Sequence, residues 1–199
     1  MRGAAYDPFK RAFDFVAASI LLVVTSPIQA AVAVLVHRKL GSPVLFRQER
    51  PGKNEQIFEL AKFRTMLDVD EEAGLVTDEQ RLTKFGALLR STSLDELPTL
   101  WNVIKGDMSL VGPRPHALGS LAGDSLFWEV TDNYWLRHAF KPGLTGLAQI
   151  RGFRGATEKR EDLECRLRAD LEYATNWSPW LDFLILLKTA RVLVHSNAY

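Results

Sequence analysis

Two adjacent carboxylates, Asp95 and Glu96, lie between two guanidinium groups, Arg90 before them and Arg114 after. That set has a chemistry available to it. One carboxylate can serve as a covalent nucleophile, as in aspartyl-phosphate formation. Its neighbour can hold Mg²⁺, which takes oxygen ligands and favours phosphate-bearing substrates. Nearby arginines bind phosphate oxygens in bidentate fashion. Gly112-Pro113-Arg114-Pro115 adds to the pattern, because a proline on each side of one arginine fixes φ twice and stiffens its approach. A second pair of cations, Lys62 and Arg64, is spaced two apart and shares one side of an extended chain, where the two could bind a diphosphate.

Each signal also has a purely structural reading. Ser93-Leu94-Asp95-Glu96 matches a capping box, in which Ser93 caps a helix and Glu96 returns to its backbone N–H. Acidic residues in a first turn suit the helix dipole. Pro-Arg-Pro is also an ordinary rigid turn, and Lys62 and Arg64 can form a solvated strand edge.

The elements that must position these residues are legible in outline. Pro43 to Gln48 reads as a short strand, Arg50-Pro51-Gly52-Lys53-Asn54 as a turn, and Gln56 to Leu60 as an alternating strand that delivers Lys62. Asp68 to Glu79 is acidic and polar and reads as a mobile loop without chemistry. Thr83 to Arg90 reads as a short helix with Phe85, Leu88 and Leu89 inward. Pro98 falls early in the next helix, where Leu97, Leu100, Trp101 and Ile104 supply an apolar face. Met108 to Val111 reads as a strand feeding the Pro-Arg-Pro turn. His116 reads as a structural histidine. Lys141-Pro142-Gly143-Leu144-Thr145-Gly146 suits a tight turn or a close backbone approach. Glu158 to Glu172 reads as a solvated helix with Asp162–Arg166 and Glu164–Arg168 pairs outside and Leu163, Leu167 and Leu171 inside.

The chain ends differ from this middle. Ala12 to Val36 is almost wholly apolar, and as one helix its 25 residues span about 38 Å at 1.5 Å per residue. A bilayer core is about 30 Å thick, so a straight span is possible. A re-entrant helix that enters and leaves by one face competes with it, while a cleaved signal peptide is disfavoured because the apolar region is overlong and no small-x-small site follows. Two features favour re-entry: the Ser26-Pro27 break near the middle, and basic residues at both ends, Lys10 and Arg11, then Arg38 and Lys39. Asp14 inside this segment is costly unless paired, and Arg11 is near enough to pair with it. At the other end Ser178 caps and Pro179 opens a last helix flanked by Trp177 and Trp180. Its apolar run is too short to span and reads as interfacial, with a buried core helix as the alternative.

Composition excludes some classes. With 25 basic and 24 acidic residues the formal net charge is +1, so bulk charge points to no nucleic acid. One cysteine, Cys165, rules out an internal disulfide, and the four histidines have no zinc-ligand spacing.

The run SLDELPTLWNVIKGDMSLVGPRP resembles the core of the bacterial sugar transferases, the small monotopic phosphoglycosyl transferases. The likeness extends from Lys10-Arg11-Ala12-Phe13-Asp14 through Lys62-Phe63-Arg64-Thr65-Met66 to Arg151-Gly152-Phe153-Arg154-Gly155 and Asn176-Trp177-Ser178. Arg114-Pro115-His116-Ala117 and the C-terminal part look closest to the hexose-1-phosphate transferases of exopolysaccharide and O-antigen synthesis. The chain resembles their minimal catalytic unit, without the extra N-terminal helices many of them carry.

The resemblance implies an α/β fold, mostly helical with a few short strands. Residues 1–40 would form a re-entrant helix-break-helix, and residues 41–199 a catalytic domain with amphipathic interfacial helices on the cytoplasmic face of the bacterial inner membrane. Asp95 would attack the sugar-bearing phosphate of a UDP-sugar and release UMP, and undecaprenyl phosphate would take up the sugar phosphate. Glu96, with Asp95, would hold Mg²⁺. Lys62, Arg64 and Arg90 would stabilise phosphoryl charge, and Pro113, Arg114 and Pro115 would orient the nucleotide or diphosphate. Membrane lipids are the expected surroundings, and a homodimer is left open. Gly146-Leu147-Ala148-Gln149 departs from the Gly-Trp-Ala-Gln of relatives and puts any aromatic contact at Leu147 in doubt. A non-catalytic membrane scaffold and a metal-dependent phosphohydrolase are the alternative readings.

Overall fold

The apolar N-terminal segment forms one helix, α1 (Pro8–Leu40), in the computed structural model, which describes residues 8–73, 76–153 and 159–194. Helical structure runs through Pro27, so the expected helix-break-helix is a continuous 33-residue helix by hydrogen bonding. Ser26 Oγ donates to the Val23 carbonyl and Thr25 Oγ1 to the Leu21 carbonyl, which serves backbone acceptors near the proline. Among the described residues α1 is the one helix long and apolar enough to cross a membrane.

Both ends of α1 are held by the same body. Near its start Asp14 is 4% exposed and accepts from Ser109 Oγ (2.7 Å) and the Leu110 N–H (3.1 Å). Arg11 does not pair with it, contrary to expectation. Its guanidinium donates to the Val103 and Ile104 carbonyls, both at 2.6 Å, at the C-terminal end of another helix, where a cation meets the negative pole. Lys10 reaches Asp182 at 2.6 Å. Near its end Val32, Val36 and Leu40 pack with Phe63 and Leu89. Between these anchors Val23 and Val24 are 71% and 67% exposed.

The hairpin β1 (Leu45–Pro51) and β2 (Ile57–Phe63) follows, antiparallel, with Phe46 opposite Lys62 and Gln48 opposite Leu60. Alternation puts Phe46, Gln48, Arg50, Leu60 and Lys62 on one face, while Arg47 and Glu59 pair on the other, exposed face. Arg50, read as part of the turn, belongs to the strand. The acidic segment beyond β2 contains a short helix, α2 (Asp78–Arg81), started by a Thr77–Gln80 capping box.

Thr83 caps α3 (Lys84–Ser91) by accepting from the Gly86 N–H. Leu89 faces inward, but Leu88 points outward at 57% exposed, against expectation. Leu88 lies one residue, about 100°, from the buried stripe. After a 3₁₀ turn (Leu94–Glu96), Pro98 leads into α4 (Thr99–Lys105), which closes on Gly106 in the left-handed region, φ 94°. Asn102 staples α4 to β2: its Nδ2 donates to the Glu59 carbonyl (2.7 Å) and its Oδ1 accepts from the Ala61 N–H (3.2 Å).

Strand β3 (Ser109–Val111) pairs in parallel with β6 (Gly143–Thr145), and the minor strands β4 (Leu121–Ala122) and β5 (Ser125–Leu126) lie between them in sequence. The β3–β6 pair leaves no room for a Cβ at Gly143, where one would sit 2.1 Å from the Gly112 backbone nitrogen. Gly143→Ala is therefore expected to destabilise by about 1–3 kcal/mol or more through overpacking. Thermal unfolding of the purified variant checks this, at about 2–4 °C lost per kcal/mol for a chain of this size.

Leu147, on the one-turn helix α5 (Leu147–Ile150), is 7% exposed and packs in the central core with Leu100, Val103, Leu110, Tyr173 and Ile185. At that position the chain makes a core contact rather than a surface one. Helices α6 (Arg160–Asn176) and α7 (Pro179–Val194) finish the fold. Ser178 caps α7 as read, accepting from the Leu181 N–H (3.2 Å). That helix buries Ile185 and exposes Trp180, Phe183 and Leu187, so it is core on one face and apolar surface on the other. The aromatic residues at 127–135 pack together: Phe127 and Tyr134 are buried, and Trp128 stacks on Trp135. Within the Arg151–Gly155 motif, Arg154 and Gly155 lie outside the described residues.

Candidate active site

The carboxylate pair sits on the 3₁₀ turn between α3 and α4, but the capping box does not form. Ser93 makes no side-chain cap and occupies the left-handed region at φ 57°. For a residue with a Cβ this costs about 1–2 kcal/mol. The turn's shape is thus held by its surroundings, and it aims both acidic side chains toward the hairpin.

Glu96 lies at the hub. Its Oε1 accepts from Lys62 Nζ at 2.7 Å and from Arg114 Nη2 at 2.6 Å. These two cations hold its carboxyl far below the usual carboxylate range, against the opposing effect of burial. Asp95 is treated differently. It is 6% exposed, and its Oδ1 is buried without a hydrogen-bond partner. Burial pushes its pKa up, with Glu96 adding to the rise and Lys62, Arg114 and Arg90 opposing it. Two adjacent carboxylates therefore do different things. One is neutralised by cations, and the other is a poorly solvated group with an unengaged oxygen.

Arg114 is presented by a clamped loop. The Gly112 N–H donates to the Thr145 carbonyl and the Gly143 N–H to the Pro113 carbonyl, both at 2.9 Å. Arg50 Nη1 donates to the Pro115 carbonyl (3.0 Å) and Arg137 Nη2 to the Arg114 carbonyl (2.6 Å). The prolines fix φ, and these four bonds fix the rest.

Asp95, Glu96, Lys62, Arg64, Arg90 and Arg114 all line one cavity of about 720 Å³. That is within the usual range of ligand sites. The structure thus brings together every predicted charged residue. Arg64 lines the cavity too, but its hydrogen bonds go to the Leu40 and Ser42 carbonyls and to Asp68, tying the end of α1 to the hairpin. Arg90 Nε donates to Thr65 Oγ1 at 3.1 Å.

Sequence reasoning missed two residues of this wall. Arg50 and Arg166 both line it, and burial brings the pKa of each down to about 10. Arg166 was expected to pair with Asp162 on a solvated face; it is 6% exposed and turned inward. On α6 it follows Leu163 by three residues and precedes Asp170 and Tyr173, and all four are buried. That i, i+3, i+4 spacing is the signal that marks it. The Arg64–Asp68 and Arg81–Asp78 pairs cancel. What remains is five cations (Arg50, Lys62, Arg90, Arg114, Arg166) against two carboxylates, a wall suited to a polyanion.

The bacterial sugar transferase family matches residues 5–196. The chain belongs to that family. It is 44% identical over 184 residues to an exopolysaccharide production protein of Rhizobium leguminosarum bv. phaseoli, covering 90% of this chain and 92% of that one. It is 42% identical over 199 residues to a UDP-glucose:undecaprenyl-phosphate glucose-1-phosphate transferase of Caulobacter vibrioides, covering 98% and 73%. An undecaprenyl-phosphate glucose phosphotransferase of Komagataeibacter xylinus is 43% identical over 195 residues, or 96% of this chain but 37% of the relative. The chain thus spans well under half of some relatives and most of others.

Mg²⁺ coordination commonly combines one or two carboxylates with substrate phosphate oxygens. The donor set fits that mode: Asp95 and Glu96 are adjacent, Asp95 Oδ1 is an orphaned buried acceptor, and both line a cationic cavity. Among the described residues no group of three or more His, Cys, Asp or Glu gathers to form an all-protein cage.

Proposed function

We propose that this chain transfers a hexose-1-phosphate from a UDP-sugar to undecaprenyl phosphate through a covalent intermediate on Asp95. The observation that carries the reading is the asymmetric carboxylate pair inside a cation-lined cavity. An Asp95 oxygen attacks the sugar-bearing phosphorus, the bond from that phosphorus to the bridging oxygen breaks, and UMP leaves with the electron pair. An oxygen of undecaprenyl phosphate then attacks the same phosphorus and frees Asp95. Lys62, Arg90 and Arg114 offset the repulsion between anionic nucleophile and anionic diphosphate. Mg²⁺ held by Glu96 and Asp95 would supply further neutralisation of phosphate charge.

A second cavity, of about 500 Å³, supports a lipid acceptor. It is mainly apolar and runs from Leu21 on α1 past Leu97, Leu110 and Leu186 to Glu96. An isoprenoid chain seated there would present its phosphate at the carboxylates. The reading also places the exposed middle of α1 and the apolar face of α7 in the cytoplasmic leaflet of the inner membrane. With both ends of α1 packed on one body, re-entry suits it better than a straight span. At 1.5 Å per residue a straight α1 is about 50 Å long and would set its ends on opposite faces.

Purified protein is expected to release UMP from UDP-glucose or UDP-galactose only when undecaprenyl phosphate is supplied, apart from one stoichiometric turnover. Catalytic release into water without lipid would favour a phosphohydrolase, and no release with any UDP-sugar would favour a scaffold. Topology has its own check. Reporter tags on the N- and C-termini are expected on the same, cytoplasmic side, and opposite sides would refute re-entry.

A further inference from the structure

A smaller chamber of about 200 Å³ opens beside Glu96, on the side of the Pro-Arg-Pro loop, and shares Arg50, Lys62, Arg114 and Arg166 with the main cavity. Its wall includes His116, which is 5% exposed. Burial and the surrounding guanidiniums of Arg137, Arg166, Arg50 and Arg114 push His116 well below the ordinary histidine range, so its ring is neutral.

The tautomer follows from its partners. Arg137 Nη1 lies 2.6 Å from His116 Nδ1, and a guanidinium only donates, so Nδ1 is the acceptor. A neutral imidazole then carries its proton on Nε2. Yet Arg166 Nη1 lies 3.3 Å from that same Nε2. Two N–H donors therefore converge at the chamber wall. Such an arrangement is stabilised by a ligand oxygen that accepts from both.

The remaining lining selects the kind of oxygen. The one carboxylate in the wall is Glu96, whose Oε1 already accepts from Lys62 and Arg114. The charged side chains otherwise offer donors alone. Sugar hydroxyls donate as well as accept and need acceptors in return. A phosphate accepts only, and two guanidiniums match it in geometry and charge.

We propose that Arg50, Arg166 and the Nε2–H of His116 form the seat of the α-phosphate of the departing nucleotide. This rests on the transferase reading and extends it to the leaving group. As the phosphorus–oxygen bond breaks, the electron pair goes to the bridging oxygen, which becomes a terminal oxygen of UMP. The added negative charge then forms next to Arg50 and Arg166, which line both the main cavity and the chamber. The hexose is left to the larger cavity.

Binding of UMP and of uridine to the full-length protein by titration calorimetry tests this. Wild-type protein is expected to prefer UMP to uridine. Arg166→Met is expected to cut that preference at least tenfold while leaving uridine affinity alone, with partial recovery in Arg166→Lys. Arg50→Met is expected to act in the same direction, which covers the case in which Arg166→Met does not fold. An unchanged UMP-over-uridine ratio in every folded Arg50 and Arg166 variant overturns the proposal, as does wild-type protein that shows no preference. Neither result touches the nucleophile, whose failure would appear instead as sugar-phosphate transfer by Asp95→Asn.

Discussion

Asp95→Asn is expected to lower sugar-phosphate transfer by about 10⁴-fold or more, the scale on which removal of a covalent nucleophile acts. Labelled UDP-sugar given without lipid acceptor should leave label on wild-type protein and none on the variant. The same substitution is expected to raise the melting temperature. Burial lifts the pKa of Asp95, so its ionised form is disfavoured in the folded state. Stability from this group is highest at acid pH and is lost as pH rises from the ordinary Asp value through the raised one. A neutral amide removes that cost. Lost activity together with gained stability distinguishes a nucleophile from a packing residue.

The pH profile of the wild type follows from the same groups. The nucleophile must be ionised, so the rate should climb with pH through the raised Asp95 pKa, later than an ordinary aspartate would give. Lys62 must stay charged, and burial lowers its pKa, so the alkaline fall should begin below the ordinary lysine range. Initial rates of UMP release across pH check both limbs.

Arg137→Met should be the most destabilising single change outside the site. Arg137 and Asp170 are each 2% exposed and meet at 2.7 Å. Arg137 also donates to His116 Nδ1 and to the Arg114 carbonyl. Removing it strands the Asp170 carboxylate in the interior, and breaking a buried pair in this way costs about 3–5 kcal/mol. Thermal unfolding should register a loss of roughly 6–20 °C, at 2–4 °C per kcal/mol. Arg137→Met with Asp170→Leu should recover much of that stability but not the activity, because the Arg114 loop still lacks its clamp. Equal loss in the single and double variants would show that the pair is not what matters.

What the sequence revealed and what it hid divide along a physical line. Local rules held where neighbours in the chain decide. Ser178 and Pro179 start a helix, the hairpin alternates, and Gly143 and Gly146 sit where backbones touch. The charged site residues were legible because their types and order are those of a known family. Around the site the failures involve long-range burial of charge. Arg50 looked like a turn residue, Arg166 and Asp170 like the wet side of a helix, and Asp14 like a partner for Arg11. A buried charge is tolerated only beside a partner, and such partners lie far away in sequence: Arg137 for Asp170, Ser109 for Asp14. The Ser93 capping box failed for a related reason. Contacts of Glu96 with Lys62 and Arg114 override the local preference of the tetrapeptide.

The tether between Asp14 and β3 also has a mechanical corollary. Val111 ends that strand, and the next residues are Gly112, Pro113 and Arg114. A rigid strut of one strand thus joins the helix that would enter the lipid to the arginine that grips Glu96, the neighbour of the proposed nucleophile. With that helix in the bilayer as proposed, its depth would set the altitude of the chemistry above the acyl chains. A bilayer a few ångströms thicker or thinner would move acceptor headgroups relative to that fixed height, so turnover should be tuned by lipid chain length even with every substrate saturating.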